Sequence, residues 1–424
     1  MKIAIIGSGI AGNVAAYKLS RQHDVTVFES GSYVGGHTNT VDVFEHGRRI
    51  PVDTGFIVFN DRTYPNFMRL LNEIGQESQP SEMSFSVQAE SGDLEYKGSS
   101  LDTLFAQRRN IFRPPFYRMV RDILRFNKEA ATRLEKRDDS TTLGEYLLKH
   151  GYSREFADHY LLPMAAAIWS AEPVSVLDMP IEFLTRFLKN HGLLQLRDRP
   201  QWRVIKGGSR EYVRKLVAGH RDRIRLNSPV RSVRRVGAQV EIRAGAAGPE
   251  RFDYVFLACH SDQALAMLDD ATQAEREVLG AIRYQRNEAI LHTDATLMPK
   301  RRRAWAAWNY HIPEDPRRHV AVTYNMNILQ SLDSKEQYCV TLNNDRQVAS
   351  SRIIQRISYE HPIYTRDTVA AQSRQAELNV DRTFFCGAYW RNGFHEDGVV
   401  SALNALEHFE ERLAHGKLYL RRAS

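Results

Sequence analysis

The sequence lacks most of the features that would assign it a metal, a disulfide framework or a place within a membrane. Its three cysteines, Cys259, Cys339 and Cys386, stand far apart with no Cys-x-x-Cys pair. That spacing argues against a thiolate metal site and a disulfide-stapled fold, and no metal is expected. No apolar run approaches the roughly 18 residues of a membrane span. The apolar stretch after Met1 breaks at Gly7-Ser8-Gly9 before it builds the core of a secretory signal, so a cytoplasmic location is expected. Internal repeats, low-complexity linkers, zinc-finger spacing and RNA-binding aromatic signatures are absent too. A formal charge of +7 therefore carries no nucleic-acid reading, and no nucleic-acid partner is expected.

What is there is an ordinary globular composition, 42% apolar and 26% charged over 424 residues, enough for two or three domains. Residues 2–6, Lys-Ile-Ala-Ile-Ile, read as a short buried strand. Gly7, Gly9 and Gly12 follow where the chain must turn and open a helix beginning with Ile10 and Ala11. Gly7 permits the turn, Gly9 lets backbone N–H groups approach a pyrophosphate, and Gly12 lets helix and strand pack closely. A second strand, "DVTVFES", carries Glu29 and Ser30 at its end. Glu29 lies where an acidic side chain accepts ribose hydroxyls. This is a dinucleotide site of the kind that nicotinamide and flavin proteins share.

The next tract bears on the choice of cofactor. Gly35-Gly36 followed by His37-Thr38 can form a second anion-binding concavity. The order of acidic residue, Gly-Gly and one polar residue resembles the flavin-containing amine oxidase and phytoene desaturase superfamily, in which an arginine usually stands where this chain has His37. The resemblance extends through "VDTGFIVFNDRTYPNFMRLLNEIG", with Asp53, Gly55, Pro65 and Leu71 at matching places, and through "WRVIKGGSREYVRKLV" and "IRLNSPVRSVRRV". It implies that the turn at Gly55-Phe56 approaches the flavin ring and that the backbone of Val230 contacts adenine. His37 is expected to face phosphate. Near the other end, "TFFCGAYWRNGFHEDGVVSALNALEHF" reads as a strand, Gly387, a loop and an amphipathic helix opened by Gly398-Val399-Val400. In relatives that helix points its N-terminus at the flavin.

The implied fold is α/β: a Rossmann-like FAD-binding domain with an inserted α+β substrate domain of mixed sheet and helices. Residues 1–60, 200–262 and 380–424 would form the first, and residues 61–199 and 263–379 the second. The earlier insert reads as helical; in the later one, "HVAVTYNMN" and "YCVTLNN" alternate like antiparallel strands. FAD is the expected cofactor, because a nicotinamide dehydrogenase has no need of the C-terminal motif.

The chemistry is less directly written. Amine oxidases of this superfamily keep a lysine near the flavin on a strand of the substrate sheet; residues 285–299 contain none, and the nearest is Lys300. "GFHEDG" offers Phe394 and His395 in place of the usual aromatic, with one extra residue. "NEAILHTDATLMP", "WAAWNY" and "GFHEDGVVSALNALE" resemble a bacterial subgroup of predicted NAD/FAD-binding proteins associated with synthesis of cyclopropane, methylated and furan fatty acids. That resemblance implies dehydrogenation of a lipid acyl chain by hydride transfer to flavin N5. The alternatives are an amine oxidase, a flavin-dependent fatty-acid isomerase, and a non-catalytic FAD-binding accessory of a lipid methyltransferase. His395, Glu396, Asp397 and His292 are the candidate acid/base or orienting groups. Residues 108–125 carry Arg118, Arg121 and Arg125 at helical spacing among aromatic and aliphatic residues. They read either as an ordinary surface helix or as a peripheral contact with the inner face of a membrane.

Overall fold

Apart from Lys2, residues 2–6 are apolar, and in the computed structural model they form the strand Lys2–Ile6, buried from Ile3 onward. A strand with no polar face needs cover on both sides, as parallel sheets provide. It lies at the centre of a five-stranded sheet, flanked by Asp24–Phe28 and Ile224–Arg225 on one side and by Tyr254–Leu257 and Thr383–Phe385 on the other. Every pairing is parallel. Five short strands drawn from near residues 2, 24, 224, 254 and 383 thus meet in one sheet. The structure describes residues 1–133, 141–195, 198–246, 248–314, 321–344 and 347–423.

The helix Ile10–Leu19 follows the first strand and packs against the final helix, His395–Ala423. Gly398 lies at this contact. A β-carbon there would stand 2.6 Å from Ile10 Cγ2, so a larger residue would push the two helices apart. The start of the final helix differs from the sequence reading. Gly398 N–H already donates to Phe394 O, and Asp397 accepts the Phe394 N–H at 2.9 Å. The helix therefore opens at His395, one turn before Gly398, because Asp397 satisfies a backbone donor at its N-terminus.

A second sheet of seven strands runs in the order Ile353–Pro362, Tyr284–His292, Cys339–Leu342, Ala321–Asn325, Trp308–Ile312, Phe85–Ala89 and Glu95–Lys97. All its pairs are antiparallel except Trp308–Ile312 with Phe85–Ala89. The reading of 61–199 as helical is extended here, since Phe85–Ala89 and Glu95–Lys97 of the sheet also come from it. The helices Pro114–Arg133, Leu162–Trp169 and Ile181–Asn190 share one apolar core with this sheet. Among the described residues, no helix is long and apolar enough to cross a membrane.

Candidate active site between the two sheets

A cavity of about 370 Å³ begins at the glycine turn of the parallel sheet and ends against one face of the seven-stranded sheet. Its first half is backbone. Gly7 turns with φ +101°, and a β-carbon on it would lie 2.8 Å from Ala258 O. A β-carbon on Gly12 would lie 1.9 Å from Gly7 O, so this glycine fixes how closely helix and turn pack. Gly9 is different: a β-carbon there would meet nothing within 4 Å. Its empty side lies at a helix N-terminus whose first N–H groups have no intrahelical partner, the arrangement that receives a diphosphate. Gly36 approaches so closely that a β-carbon on it would be 3.1 Å from Gly9 Cα.

Glu29 closes this end. Its Oε2 accepts from Ser8 N–H at 2.9 Å and Ser8 Oγ–H at 2.6 Å, and its Oε1 accepts from Gly31 N–H at 2.7 Å. Ser30 Oγ–H adds a longer contact to Oε1 at 3.4 Å, and this hydroxyl can rotate away to let a ribose hydroxyl donate in its place. Ile10, Ala11, Ser30, Gly35, Gly55, Phe56 and Gly387 also line the cavity. Gly12, Thr38, Val230, Gly398, Val399 and Val400 do not. Val230 opens the strand Val230–Val236, and Val399 is buried among the helices.

Two observations test whether these residues fit FAD. The first is the unfilled space beside Gly9. The second is a set of polar atoms on the cavity wall that are buried without a hydrogen-bond partner among the described residues: His37 Nε2, Trp308 Nε1, Tyr364 Oη and Tyr389 Oη. Buried donors and acceptors left unmatched are costly, and a polar ring system with a ribityl chain would supply partners. The residues fit.

His37 does not supply the positive charge that the arginine of relatives would bring. It stacks on Tyr359 at 4.8 Å and faces His361 at 5.2 Å and His260 at 6.4 Å. Burial first, then these neighbouring imidazoles, hold its pKa well below the usual value, so it is neutral at pH 7. His361 is likewise pushed down to about 4, mainly by burial. Its Nδ1 lies 2.8 Å from Asn287 Nδ2.

The four acid/base candidates part company. His395 lines the cavity; it stacks on Phe56 at 3.4 Å, and its Nε2 lies 2.8 Å from Tyr212 Oη and 3.0 Å from Thr38 Oγ1. Burial lowers its pKa to about 3. Glu396 is turned away. It accepts from Asn66 N–H, Asn66 Nδ2 and Phe67 N–H at 2.7–3.0 Å, which ties the final helix to the start of the helix Pro65–Glu73. Asp397 serves the helix end described above, and burial raises its pKa to about 6. His292 lies on the other face of the seven-stranded sheet. Side chains alternate along a strand, and His292 pairs with Cys339 while the cavity-lining Leu342 pairs with Ala289, three residues earlier. Both His292 nitrogens are engaged, Nε2 with Thr341 Oγ1 at 2.7 Å and Nδ1 with Asp294 N–H at 3.0 Å. For Glu396, Asp397 and His292 the expected acid/base role gives way to structural bonding.

Sequence reasoning missed His260, Tyr359, His361 and Tyr364. His260 follows the C-terminal end of a parallel strand, where ligands of open α/β sheets bind, and Tyr359 with His361 shows the two-residue spacing of one strand face. Both signals were available. Among the described residues, no cluster of three or more ligating side chains is arranged for a metal.

A parallel sheet with its glycine turn at a helix N-terminus, an acidic residue closing the second strand, and a distant C-terminal helix returning to the same turn define a dinucleotide-binding flavoprotein with a separate substrate sheet. Residues 10–300 match the model of the family described as flavin containing amine oxidoreductase. The chain belongs to that family, and its cofactor is a flavin, FAD. A curated relative, named "Putative flavin-containing monoamine oxidase AofH", from Mycobacterium tuberculosis, is 28% identical over 251 residues. That alignment covers 57% of this chain and 53% of the relative, so the chain spans about half the length of the curated relatives it matches. Cyclohexylamine oxidase from Brevibacterium oxydans IH-35A superposes with a TM-score of 0.70 at 16% identity, covering 97% of this chain and 99% of that one. A "CLA-producing fatty acid isomerase from P. acnes" superposes with a TM-score of 0.67 at 16% identity, covering 96% of this chain and 98% of that one. Both share its fold.

Proposed function

We propose that this protein is an FAD-dependent oxidoreductase that dehydrogenates an apolar substrate, a lipid acyl chain. Its cofactor unit is residues 1–60, 200–262 and 380–424, and its substrate unit is residues 61–199 and 263–379. The observation that carries the reading is the lining of the substrate half of the cavity: Ile57, Val58, Ile168, Trp308, Tyr324 and Leu342, with no lysine among the described residues. Among the described residues, the carboxylates on the cavity wall are Glu29, hydrogen-bonded to Ser8, and Glu360, which lies 3.4 Å from His260 and is 41% exposed. An ammonium group entering the substrate half would find no buried counter-ion, and an unpaired buried charge is strongly disfavoured. Methylenes entering it gain about 0.8 kcal/mol each. That one relative in fold is a fatty acid isomerase is consistent with such a substrate.

Forming a C=C bond from two adjacent C–H bonds removes one hydride and one proton. FAD, when bound, supplies the hydride acceptor. The chain must therefore position the acyl carbons, exclude water and receive the proton. His395 is the candidate for the last task, because it lines the cavity and its Nε2 is fixed by Tyr212 and Thr38. The Tyr212 and Thr38 hydroxyls, whose oxygens are 2.7 Å apart, hold the ring in place for that task, and the proton leaves His395 for solvent through the cavity once product has departed.

The test is anaerobic addition of acyl phospholipids, polyamines and NAD(P)H, one class at a time, to the yellow protein, following the visible flavin band. Acyl lipids are expected to bleach it. Bleaching by amines alone would replace this reading with an amine oxidase, and lipid double-bond migration without net bleaching would make it an isomerase. A flavin that stays oxidised with every compound, with no change in any lipid, would leave a non-catalytic accessory protein.

A further inference from the structure

The segment joining the edge of the substrate sheet to its helices turns an unusual set of side chains outward. Leu101 opens a short helix and is 77% exposed; Phe112, at the end of the 3₁₀ turn Arg108–Phe112, is 86% exposed. Ile111 and Tyr117 adjoin Phe112, and Tyr117 Oη donates to Ile111 O at 2.9 Å. Single exposed apolar residues are ordinary on protein surfaces, but Ile111, Phe112 and Tyr117 adjoin one another, and such a group carries information.

The helix Pro114–Arg133 explains the grouping. Phe116, Met119, Phe126 and Ala130 fall on the side that enters the core. Tyr117, Arg121, Leu124 and Lys128, at positions i, i+4, i+7 and i+11, fall on the exposed side. This outward stripe alternates apolar and basic residues. Over residues 101–128 the chain carries seven basic side chains and two acidic ones, Asp102 and Asp122. Asp122 is buried and accepts from Ser153 N–H, while Asp102 pairs with Arg108 and lies 3.6 Å from Arg303. That last contact brings the basic turn Arg302–Ala304 alongside the same surface. Three further acids on this side, Asp93, Glu155 and Glu129, are each matched to one arginine, Arg109, Arg118 and Arg125. Arg121 is 72% exposed and, among the described residues, its ion-pair partner is the adjacent Asp122, at 3.5 Å.

We propose that this surface, Leu101 with Ile111, Phe112, Tyr117, Arg121 and Leu124, docks on the face of an anionic lipid bilayer. Phe112 and Leu101 enter the level of the head groups, and the surrounding arginines lie against lipid phosphates, the arrangement by which amphipathic segments bind in the plane of a membrane. The assignment stands on charge and exposure and does not depend on the identity of the substrate.

Flotation of the full-length flavoprotein with vesicles tests it. Wild type is expected to float with vesicles of phosphatidylglycerol and phosphatidylcholine, and about tenfold less with phosphatidylcholine alone. Phe112→Asp and Arg121→Glu should each lower binding to anionic vesicles at least about fivefold while keeping full flavin content, which shows that they fold. Phe44→Asp is the control, because Phe44 is 73% exposed on a different element, the strand Thr40–Glu45; its binding should equal wild type. Wild type that stays with the unbound protein would overturn the assignment, as would an equal loss in Phe44→Asp. Loss of self-association in Phe112→Asp with unchanged vesicle binding would do so too, in favour of contact with a second copy.

Discussion

The two ends of the cavity are built by different means. At the parallel sheet the wall is main chain: glycine turns, a helix N-terminus and one carboxylate held by backbone and hydroxyl donors. At the seven-stranded sheet the wall is side chain: Trp308, Tyr324, Leu342 and Tyr359 come from four strands that follow one another in sequence, Trp308–Ile312, Ala321–Asn325, Cys339–Leu342 and Ile353–Pro362. Backbone binding constrains residue type tightly, because a β-carbon in the wrong place closes the site. Side-chain binding constrains only size and polarity, so many sequences can make such a wall. The first end fixes the cofactor, and the second leaves room for substrates to diverge within one fold.

The sharpest way to break this comparison is to add a β-carbon where the wall is main chain. Gly9→Val should fold normally, since nothing lies within 4 Å of the added carbon, yet bind less than about a tenth of the wild-type flavin because the side chain occupies the diphosphate position. Gly12→Val should give little soluble protein, because its carbon would overlap Gly7 O at 1.9 Å. Absorbance and circular dichroism separate the outcomes. A yellow Gly9→Val protein would mean that the cradle is not where the diphosphate binds.

At the boundary between the two ends, His395→Gln should lower the rate of anaerobic flavin reduction about 10²-fold with flavin retained, the usual size of a lost proton-transfer group. Glu396→Gln should leave that rate alone and destabilise the fold by about 1–3 kcal/mol, because three donors lose a charged acceptor. Stopped-flow traces and thermal melts distinguish them. If both variants slow reduction equally, the assignment of His395 to the cavity and Glu396 to the scaffold fails.

Acid should affect both ends. Burial lowers the pKa of His191, His292, His311 and His361 to about 4 and of His395 to about 3. These groups bind fewer protons folded than unfolded, so their contribution is complete above the unfolded value of about 6.5 and is lost as pH falls toward 4. Asp53 and Asp397, both raised to about 6 by burial, act oppositely: their contribution is present at low pH and lost as pH rises from about 4 through 6. Five imidazoles outweigh two carboxyls, so the melting temperature should fall between pH 6.5 and 4.5. Flavin fluorescence should rise only further down, near pH 4 and below, where His361 and then His395, both on the cavity wall, acquire charge in the folded protein. A melting temperature that rises on acidification would contradict this balance.

Smaller effects are expected at the side-chain wall. Trp308→Phe and Tyr324→Phe should each change half-saturation for substrate by less than about tenfold, since volume and apolarity are largely kept.

The same contrast explains what could be read from the sequence. The turn Gly7-Ser8-Gly9, Glu29 and Gly35-Gly36 were legible because their spacing is set by covalent geometry over about thirty residues. The parallel sheet was legible because "KIAIIG", "DVTVFE" and "YVFLAC" are short apolar runs of a kind that a doubly covered sheet requires. His292 was misassigned because strand parity decides which face a residue joins, and that parity depends on a register that only pairing fixes. Glu396 and Asp397 were misassigned because a carboxylate at a helix start looks alike in sequence whether it meets a substrate or a backbone N–H. The strand Phe85–Ala89 joins its sheet through Trp308–Ile312, more than two hundred residues away, so nothing local marked it.

The measurement that tests the central claim most directly is anaerobic flavin reduction by a homologous series of acyl lipids, with half-saturation determined for each chain length. An apolar substrate half predicts that affinity strengthens by roughly fourfold for each added methylene, about 0.8 kcal/mol, until the cavity is filled. Half-saturation independent of chain length, with reduction by polyamines instead, would contradict it.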